Sequence, residues 1–355
     1  MDDYQSPVVA QFLESLPNQL SQESCHQFAL HHIVPILYPN TTGKVDIQPS
    51  PFHGSMSYTV ILHTHFTSTH FTGVDGRIVV QFRSDKQDLF GVTEASHIHG
   101  SIVPLVKYQG MYEGLFVYTS PFAQGTPYIS ILMSSEDSQL PLQKMATVLD
   151  LADLITRGAK TNTALFDTAL PDLTFTLERI QKTVNNYNFR HTFLKNKILA
   201  CITKLLLQLP SLTTLPVTLT HQDLSPFNYL IDVSTGRVQA VLDWDGALYF
   251  PIGSNFHFID SLFGFMTLGG WQDTEDRPEL EKAFYDRVLA PLAAQGFEGI
   301  TKEQLESQKA IGMLLYGVER LLKFQRRTSR ALSRWIFSGF TVSFMNDFLP
   351  IVVSY

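Results

Sequence analysis

Residues 219–249 read LTHQDLSPFNYLIDVSTGRVQAVLDWDGALY. Two short runs, 229–233 and 237–242, flank the turn Ser234-Thr235-Gly236, which is the pattern of a β-hairpin. His221, Asp223 and Asn228 precede the first run; Asp243 and Asp245 follow the second. A hairpin brings its two ends together, so Asp223, Asn228 and Asp243 are expected to converge on one small volume. Two carboxylates and an amide in one place form a hard, all-oxygen site suited to Mg²⁺ and phosphate.

Upstream of this stretch the sequence falls into two regimes. Residues 8–16 and 22–37 carry apolar groups at three- and four-residue spacing and read as helices capping a first lobe. From 44 to 119 the period changes. Strands are expected at 44–48, 58–66, 77–83, 103–108 and 115–118, with one helix, 89–99, inserted after the third. The segment Gly54-Ser55-Met56-Ser57 lies between two strands, where it is either an ordinary turn or a loop offering N–H groups and hydroxyls to a phosphate. In the strand RIVVQFR, Gln81 and Arg83 are two apart and share a face, so either can reach Glu94 on the helix. An Arg83–Glu94 contact is then either an ion pair beside a phosphate pocket or a surface pair worth ~0–1 kcal/mol.

Residues 118–125, YTSPFAQG, break the strand pattern and read as a linker. Beyond them the chain turns helical at 140–155, 172–186 and 191–209, then enters the hairpin. Further helices are expected near 255–266, 278–294, 303–323 and 329–345, the third opened by the capping box Thr301-Lys302-Glu303-Gln304. The fold class is therefore α+β with two lobes. A small β-rich lobe with a helical N-terminal extension covers 1–118, and a larger, mainly α lobe covers 119–355.

Composition narrows the function classes. A chain of 355 residues is too long for one ordinary core. Its 33 acidic against 26 basic residues leave a net charge of −7, which argues against a nucleic-acid partner. The basic cluster at 323–327 with Arg330 and Arg334 reads as the solvated face of a helix. Cys25 and Cys201 are read as reduced core thiols, pointing to a cytoplasmic setting. The start, MDDYQSPVVAQF, lacks the apolar run of a secretory signal, and no stretch of about 18 apolar residues suggests a membrane partner. His63, His65 and His70 are read in a strand pair, His63 and His65 on one face, and His97 with His99 end a helix. No Cys or acidic partner stands at metal-ligand spacing, so exposure is the plainer reading.

Phosphoryl transfer asks little covalent chemistry of a protein. It needs metal ions on the phosphates and a carboxylate at the attacking hydroxyl. Asp223, in a loop held by His221 and Pro226, is placed to take the hydroxyl proton. Asn228 offers a neutral amide oxygen to Mg²⁺, and Asp243 a charged one. HQDLSPFNYLID followed by VLDWDGA resembles the signature of the aminoglycoside phosphotransferase family, whose relatives include choline, homoserine and methylthioribose kinases. The VVQFR strand and its glutamate helix resemble the fungal branch of that family. The likeness runs from about residue 54 to 251. It implies a protein-kinase-like two-lobed fold with ATP, or GTP in some relatives, bound between the lobes. By the same likeness Asp223 is the catalytic base, and Asn228 and Asp243 hold Mg²⁺. Gly54, Ser55 and Ser57 match the nucleotide loop, Gln81 or Arg83 the third-strand position with Glu94 as helix partner, and Tyr118 and Ser120 the hinge facing adenine.

The third strand departs from the family pattern, which commonly has Lys or Arg where this chain offers Gln81 or, one pleat on, Arg83. Two readings therefore stand. One is a kinase acting on a small-molecule hydroxyl; the other is an inactive kinase-like protein that binds nucleotide or acts as a scaffold. A protein kinase is disfavoured, since VLDWDGA runs straight into LYFP with no room for a long activation loop. Asp245 either joins the metal shell or caps the next turn. Near the expected acceptor cleft, Asp260, Asp273, Glu275 and Asp276 stand among Phe256, Phe258, Phe263, Phe265 and Trp271. That mixture suggests a partly apolar acceptor, such as a secondary metabolite, over a polycationic sugar.

Overall fold

In the computed structural model, strand Arg77–Arg83 buries alternate residues. Ile78, Val80 and Phe82 are wholly enclosed, while Val79, Gln81 and Arg83 face the other side. This period-two pattern fixes which face of the sheet is core and which carries polar groups. The residues described are 12–13, 20–39, 43–51, 57–64, 76–133, 140–160, 165–186, 192–212, 215–267 and 270–325. They fall into two compact units. One comprises residues 1–126 with 239–246, the other residues 127–238 with 247–355.

The first unit is built on an antiparallel sheet of β1 (Val45–Pro49), β2 (Ser57–Thr64), β3 (Arg77–Arg83), β4 (Lys107–Tyr112) and β5 (Leu115–Pro121), in the order β1-β2-β3-β5-β4. Five strands and the inserted helix Leu89–His99 agree with expectation. The fourth strand is displaced. It was expected at 103–108 and begins at Lys107, because Gly100–Ile102 forms a 3₁₀ turn and Pro104 has no N–H for a ladder. Its link to β5 is a two-residue turn, Glu113 and Gly114, with φ of 48° and 86°. Paired positive φ values match the right-handed twist of the flanking strands, and Gly114 meets that demand without strain. Residues 22–37 form a helix with a π-helical turn at Ala29–Ile33. It lays Cys25, Ala29, Ile33 and Leu37 on the Val60, Ile78, Val80 and Phe82 face. The expected helix at 8–16 falls largely outside the described residues.

The second unit is mainly helical: Leu140–Thr156, Leu165–Asn186, Thr192–Leu212, Phe256–Phe263, Arg277–Ala294 and Lys302–Gln325. Leu177, Ile180, Cys201, Ile202, Leu205 and Ile311 form part of its core. The capping box at Thr301 closes in both directions, 2.9 Å from Thr301 N to Gln304 Oε1 and 3.3 Å from Gln304 N to Thr301 Oγ1. Strand pairs that were not expected also occur. Val217–Thr220 pairs with Leu248–Pro251, and Gly264–Thr267 pairs with Gly270–Asp273. The second pair replaces the end of the helix read at 255–266, since Gly264 adopts extended backbone and stops it. The helix expected at 329–345 lies outside the described residues. Among those described, no helix is long and apolar enough to cross a membrane.

The expected hairpin strands occur as Tyr229–Ile231 and Val238–Val241. Their turn is closed by Asp232 N–H on Arg237 O at 2.9 Å and by the Asp232 carboxylate, which accepts from Ser234 N–H and Oγ–H at 2.8 and 2.6 Å. Those hydrogen bonds favour the ionised form and hold the Asp232 carboxyl below its ordinary range. Helix Leu140–Thr156 packs on the turn. Thr147 Oγ1 donates to Gly236 O at 2.7 Å, and Gly236 has φ 71°.

Two measurements test this packing. A Cβ on Gly236 would lie 2.1 Å from Gln143 O. Gly236→Ala is thus expected to cost about 2–4 kcal/mol, from left-handed backbone and from displacement of the helix. An unchanged urea midpoint would contradict this. Cys25 and Cys201 are free and buried, and burial pushes the Cys25 thiol up to about 12 and Cys201 upward too. Ellman's reagent should therefore find no fast thiol in the native protein and both after guanidinium unfolding. A rapid native reaction would show that one of them is accessible.

Candidate active site

The loop after Val217–Thr220 is organised by its own backbone. Asp223 N–H donates to His221 Nδ1 at 3.0 Å, so Nδ1 carries no proton and His221 serves here as an acceptor. Asn255 brackets the His221 peptide: in the orientation its partners dictate, its amide nitrogen is 2.9 Å from His221 O and its oxygen 3.0 Å from His221 N. His221 and Asn255 are both buried. Satisfying a buried peptide in this way avoids about 1–3 kcal/mol of unmet desolvation. Asn255 was not singled out in the sequence; an Asn some thirty residues away offers no local signal. Asn228 Nδ2 donates to Asp223 O at 2.8 Å. With its nitrogen committed, Asn228 presents its oxygen as an acceptor, the orientation a metal ligand requires.

Asp243 and Asp245 belong to the first unit. Asp243 has φ 59°, uncommon for a non-glycine residue. Such backbone persists when its surroundings over-determine it, and here they do. Trp244 is 2% exposed, donates from Nε1 to Val241 O at 3.1 Å, and stacks on His99 with ring centroids 5.2 Å apart. A buried aromatic of this size contributes about 3–5 kcal/mol when measured by truncation. Asp245 Oδ2 accepts from Arg83 Nη2 at 3.0 Å, and Asp245 Oδ1 accepts from Asp88 N–H at 3.0 Å. Burial raises the Asp245 carboxyl above its ordinary range, opposed by the Asp88 N–H and the Arg83 charge and assisted by Asp243 and Asp85.

Arg83 thus settles on the aspartates. Its Nη1 is 3.8 Å from Asp243 Oδ1 and its Nη2 3.3 Å from Asp85 Oδ2, with only 11% of its side chain exposed. Arg83 ends its strand and reaches the loops there, where it faces these three carboxylates. Glu94 sits partly buried on helix Leu89–His99. Gln81, opposite Thr59 and Tyr118 in the sheet, donates to Ser57 Oγ at 3.1 Å. The Tyr118 side chain is buried, and its hydroxyl accepts from Gln87 N–H at 2.8 Å. Ser120, also in β5, is partly buried. Gly54 and Ser55 lie outside the described residues, as do His65 and His70. Among the described residues no group of three or more His, Cys, Asp or Glu side chains could hold a metal. Mg²⁺ on one or two protein carboxylates with phosphate oxygens needs no such group.

Several residues expected at an acceptor surface are interior. Phe256, Phe258 and Phe263 are buried, and Phe256 packs edge-on against Phe284 at 4.9 Å. Asp260 pairs with Lys309 at 2.7 Å, both buried. Asp273 pairs with Arg277, and Asp276 with Lys144 at 3.4 Å. An eight-residue helix with apolar groups nearly all round satisfies core packing first.

Residues 134–258 match the model of the Phosphotransferase enzyme family. No curated protein matches the chain in sequence. Three of the solved structures that resemble it are the following. The GDP complex of wild-type aminoglycoside 2'-phosphotransferase-IIIa is 12% identical, with a TM-score of 0.61 over 91% of this chain and 99% of its own. A Plasmodium vivax ethanolamine kinase is 12% identical, with a TM-score of 0.56 over 99% and 96%. A choline kinase from Cryptosporidium parvum Iowa II is 12% identical, with a TM-score of 0.50 over 90% and 92%. At such identities the likeness is one of fold. Residues 134–258, which hold Asp223, Asn228 and Asp243, thus match the model of the phosphotransferase enzyme family, in a chain whose fold is that of the kinase-like two-lobed structures it resembles.

Proposed function

We propose that this protein moves the γ-phosphoryl group of ATP, or of GTP, to a hydroxyl of a small molecule. The carrying observation is the Asn228–Asp223 contact inside the segment that matches the family. It commits the Asn228 nitrogen and so presents the Asn228 oxygen as an acceptor. In this reading Asp223 orients the acceptor hydroxyl and takes its proton as the oxygen attacks phosphorus. The bond from the γ-phosphorus to its bridging oxygen breaks, and the nucleoside diphosphate leaves with that electron pair. Asn228 and Asp243 would hold Mg²⁺, which neutralises charge on the phosphates.

The acceptor is proposed to lack the dense positive charge of an aminoglycoside. Asp260, Asp273 and Asp276 each already face a lysine or arginine of their own unit, so they are poor receivers for a polycation. A second reading, a nucleotide-binding scaffold without turnover, is favoured by one observation. Arg83 is engaged by carboxylates, and the neighbouring position on the same face is the neutral Gln81.

Asp223→Asn is expected to lower phosphoryl transfer by at least about a hundredfold, the scale of a lost general base, while nucleotide affinity stays within twofold to threefold. Full turnover in that variant would sink the base assignment. Asn228→Ala should raise the Mg²⁺ concentration needed for half-maximal turnover. A screen of hydroxyl acceptors with Mg²⁺–ATP and Mg²⁺–GTP separates the two readings. Turnover only on polycationic aminoglycosides would contradict the acceptor proposal, and tight Mg²⁺–nucleotide binding without any turnover would favour the scaffold.

A further inference from the structure

Consecutive residues Trp244 and Asp245 hold the two ends of one helix. Asp245 Oδ1 takes the N–H of Asp88, the N-cap of Leu89–His99, whose own carboxylate caps Phe90 N–H at 3.0 Å. Trp244 stacks on His99 at the other end, about 16 Å away for eleven residues at 1.5 Å each. The second oxygen of Asp245 holds Arg83 at the end of the third strand. A single carboxylate therefore joins the strand, the helix N-terminus and the loop whose preceding aspartate, Asp243, has left-handed backbone. Both of its oxygens act as acceptors, and both donors are fixed by secondary structure.

We propose that Asp245 is the positioning residue for Asp243. Through Arg83 and the Asp88 N–H it clamps the Asp243 loop to the sheet and to the Glu94 helix, aiming the Asp243 carboxylate at the metal of a Mg²⁺–nucleotide. Arg83 is correspondingly a structural counter-charge for this loop and not the cation that grips the phosphates. This rests on the reading of Asp243 as a magnesium ligand. The carboxylate nearest the guanidinium carries the ordering: Asp245 lies at hydrogen-bond distance, 3.0 Å, and Asp243 at 3.8 Å. Asp243 thus feels the positive charge without being tied to it, and its half-exposed carboxylate stays available.

The test is isothermal titration of ADP into the full chain, with Mg²⁺ and with EDTA, for wild type, Asp245→Asn and Asp245→Ala, each checked by circular dichroism. An amide matches only one of the two donors and turns its NH₂ toward the other, so Asp245→Asn should fall between the remaining two. Asp245→Ala is expected to weaken Mg²⁺-dependent ADP binding by at least about tenfold while metal-free ADP binding changes less than twofold. The Mn²⁺ midpoint, followed by electron paramagnetic resonance in the presence of ADP, should shift in parallel. If Asp245→Ala does not fold, Asp245→Asn alone decides through the same ratio. Equal loss with and without metal, or no loss in either variant, overturns the proposal. Wild type with no metal-dependent ADP binding overturns it together with the magnesium role of Asp243. Full turnover by Asp223→Asn would remove only the base assignment and leave this result standing.

Discussion

A guanidinium enclosed by protein needs counter-charge, and in this chain that requirement ties the end of a strand to a distant loop. Arg83 stands on the polar face of the sheet with most of its side chain out of water. Desolvating a cation without a partner costs several kcal/mol, so its position demands carboxylates. Asp85 comes from the adjacent turn, and Asp243 and Asp245 come from a segment about 160 residues later. That segment is consequently counted with the β-rich unit although its neighbours in sequence on both sides belong to the helical one.

The same arrangement explains why the Asp243 loop tolerates its backbone. Left-handed φ at a non-glycine residue is unfavourable by roughly 1–2 kcal/mol. Enclosure of Trp244 supplies more than that, and the two hydrogen bonds to Asp245 fix the next residue. In the helical unit a comparable order comes from hydrogen bonds alone, with Asn255 on the His221 peptide and Asn228 on Asp223 O. Both segments present oxygen acceptors whose neighbours are committed elsewhere, which is the preorganisation that phosphoryl-transfer chemistry depends on.

The interior of the helical unit shows how composition misleads about a cleft. Asp260 and three of the phenylalanines suggested a mixed acceptor surface, yet Phe256, Phe258 and Phe263 fill the core and Asp260 neutralises Lys309 within it. A buried ion pair of this kind adds little net stability, but breaking one side leaves an uncompensated charge. Aromatic and acidic residues on one short helix cannot be sorted into lining and core from spacing alone, because the packing partners Phe284, Tyr285 and Lys309 come from elsewhere in the chain.

Local pattern made much of this protein legible. Alternation over Arg77–Arg83 fixed a strand with its two faces, three- and four-residue spacing marked the helices, and Ser234-Thr235-Gly236 marked the hairpin turn. The spacing of His221, Asp223 and Asn228 and the pair Asp243 and Asp245 carried the family resemblance on which the proposed chemistry rests. Those features depend on interactions among near neighbours, so the sequence carries them openly. Tertiary structure decided the rest. It joined Arg83 to Asp245, placed Asn255 on His221, moved the fourth strand past Pro104, and ended a helix at Gly264 in favour of a strand pair. Each is a contest between local preference and a partner far away in the chain. The winner depends on burial and charge that exist only once the distant segments have met.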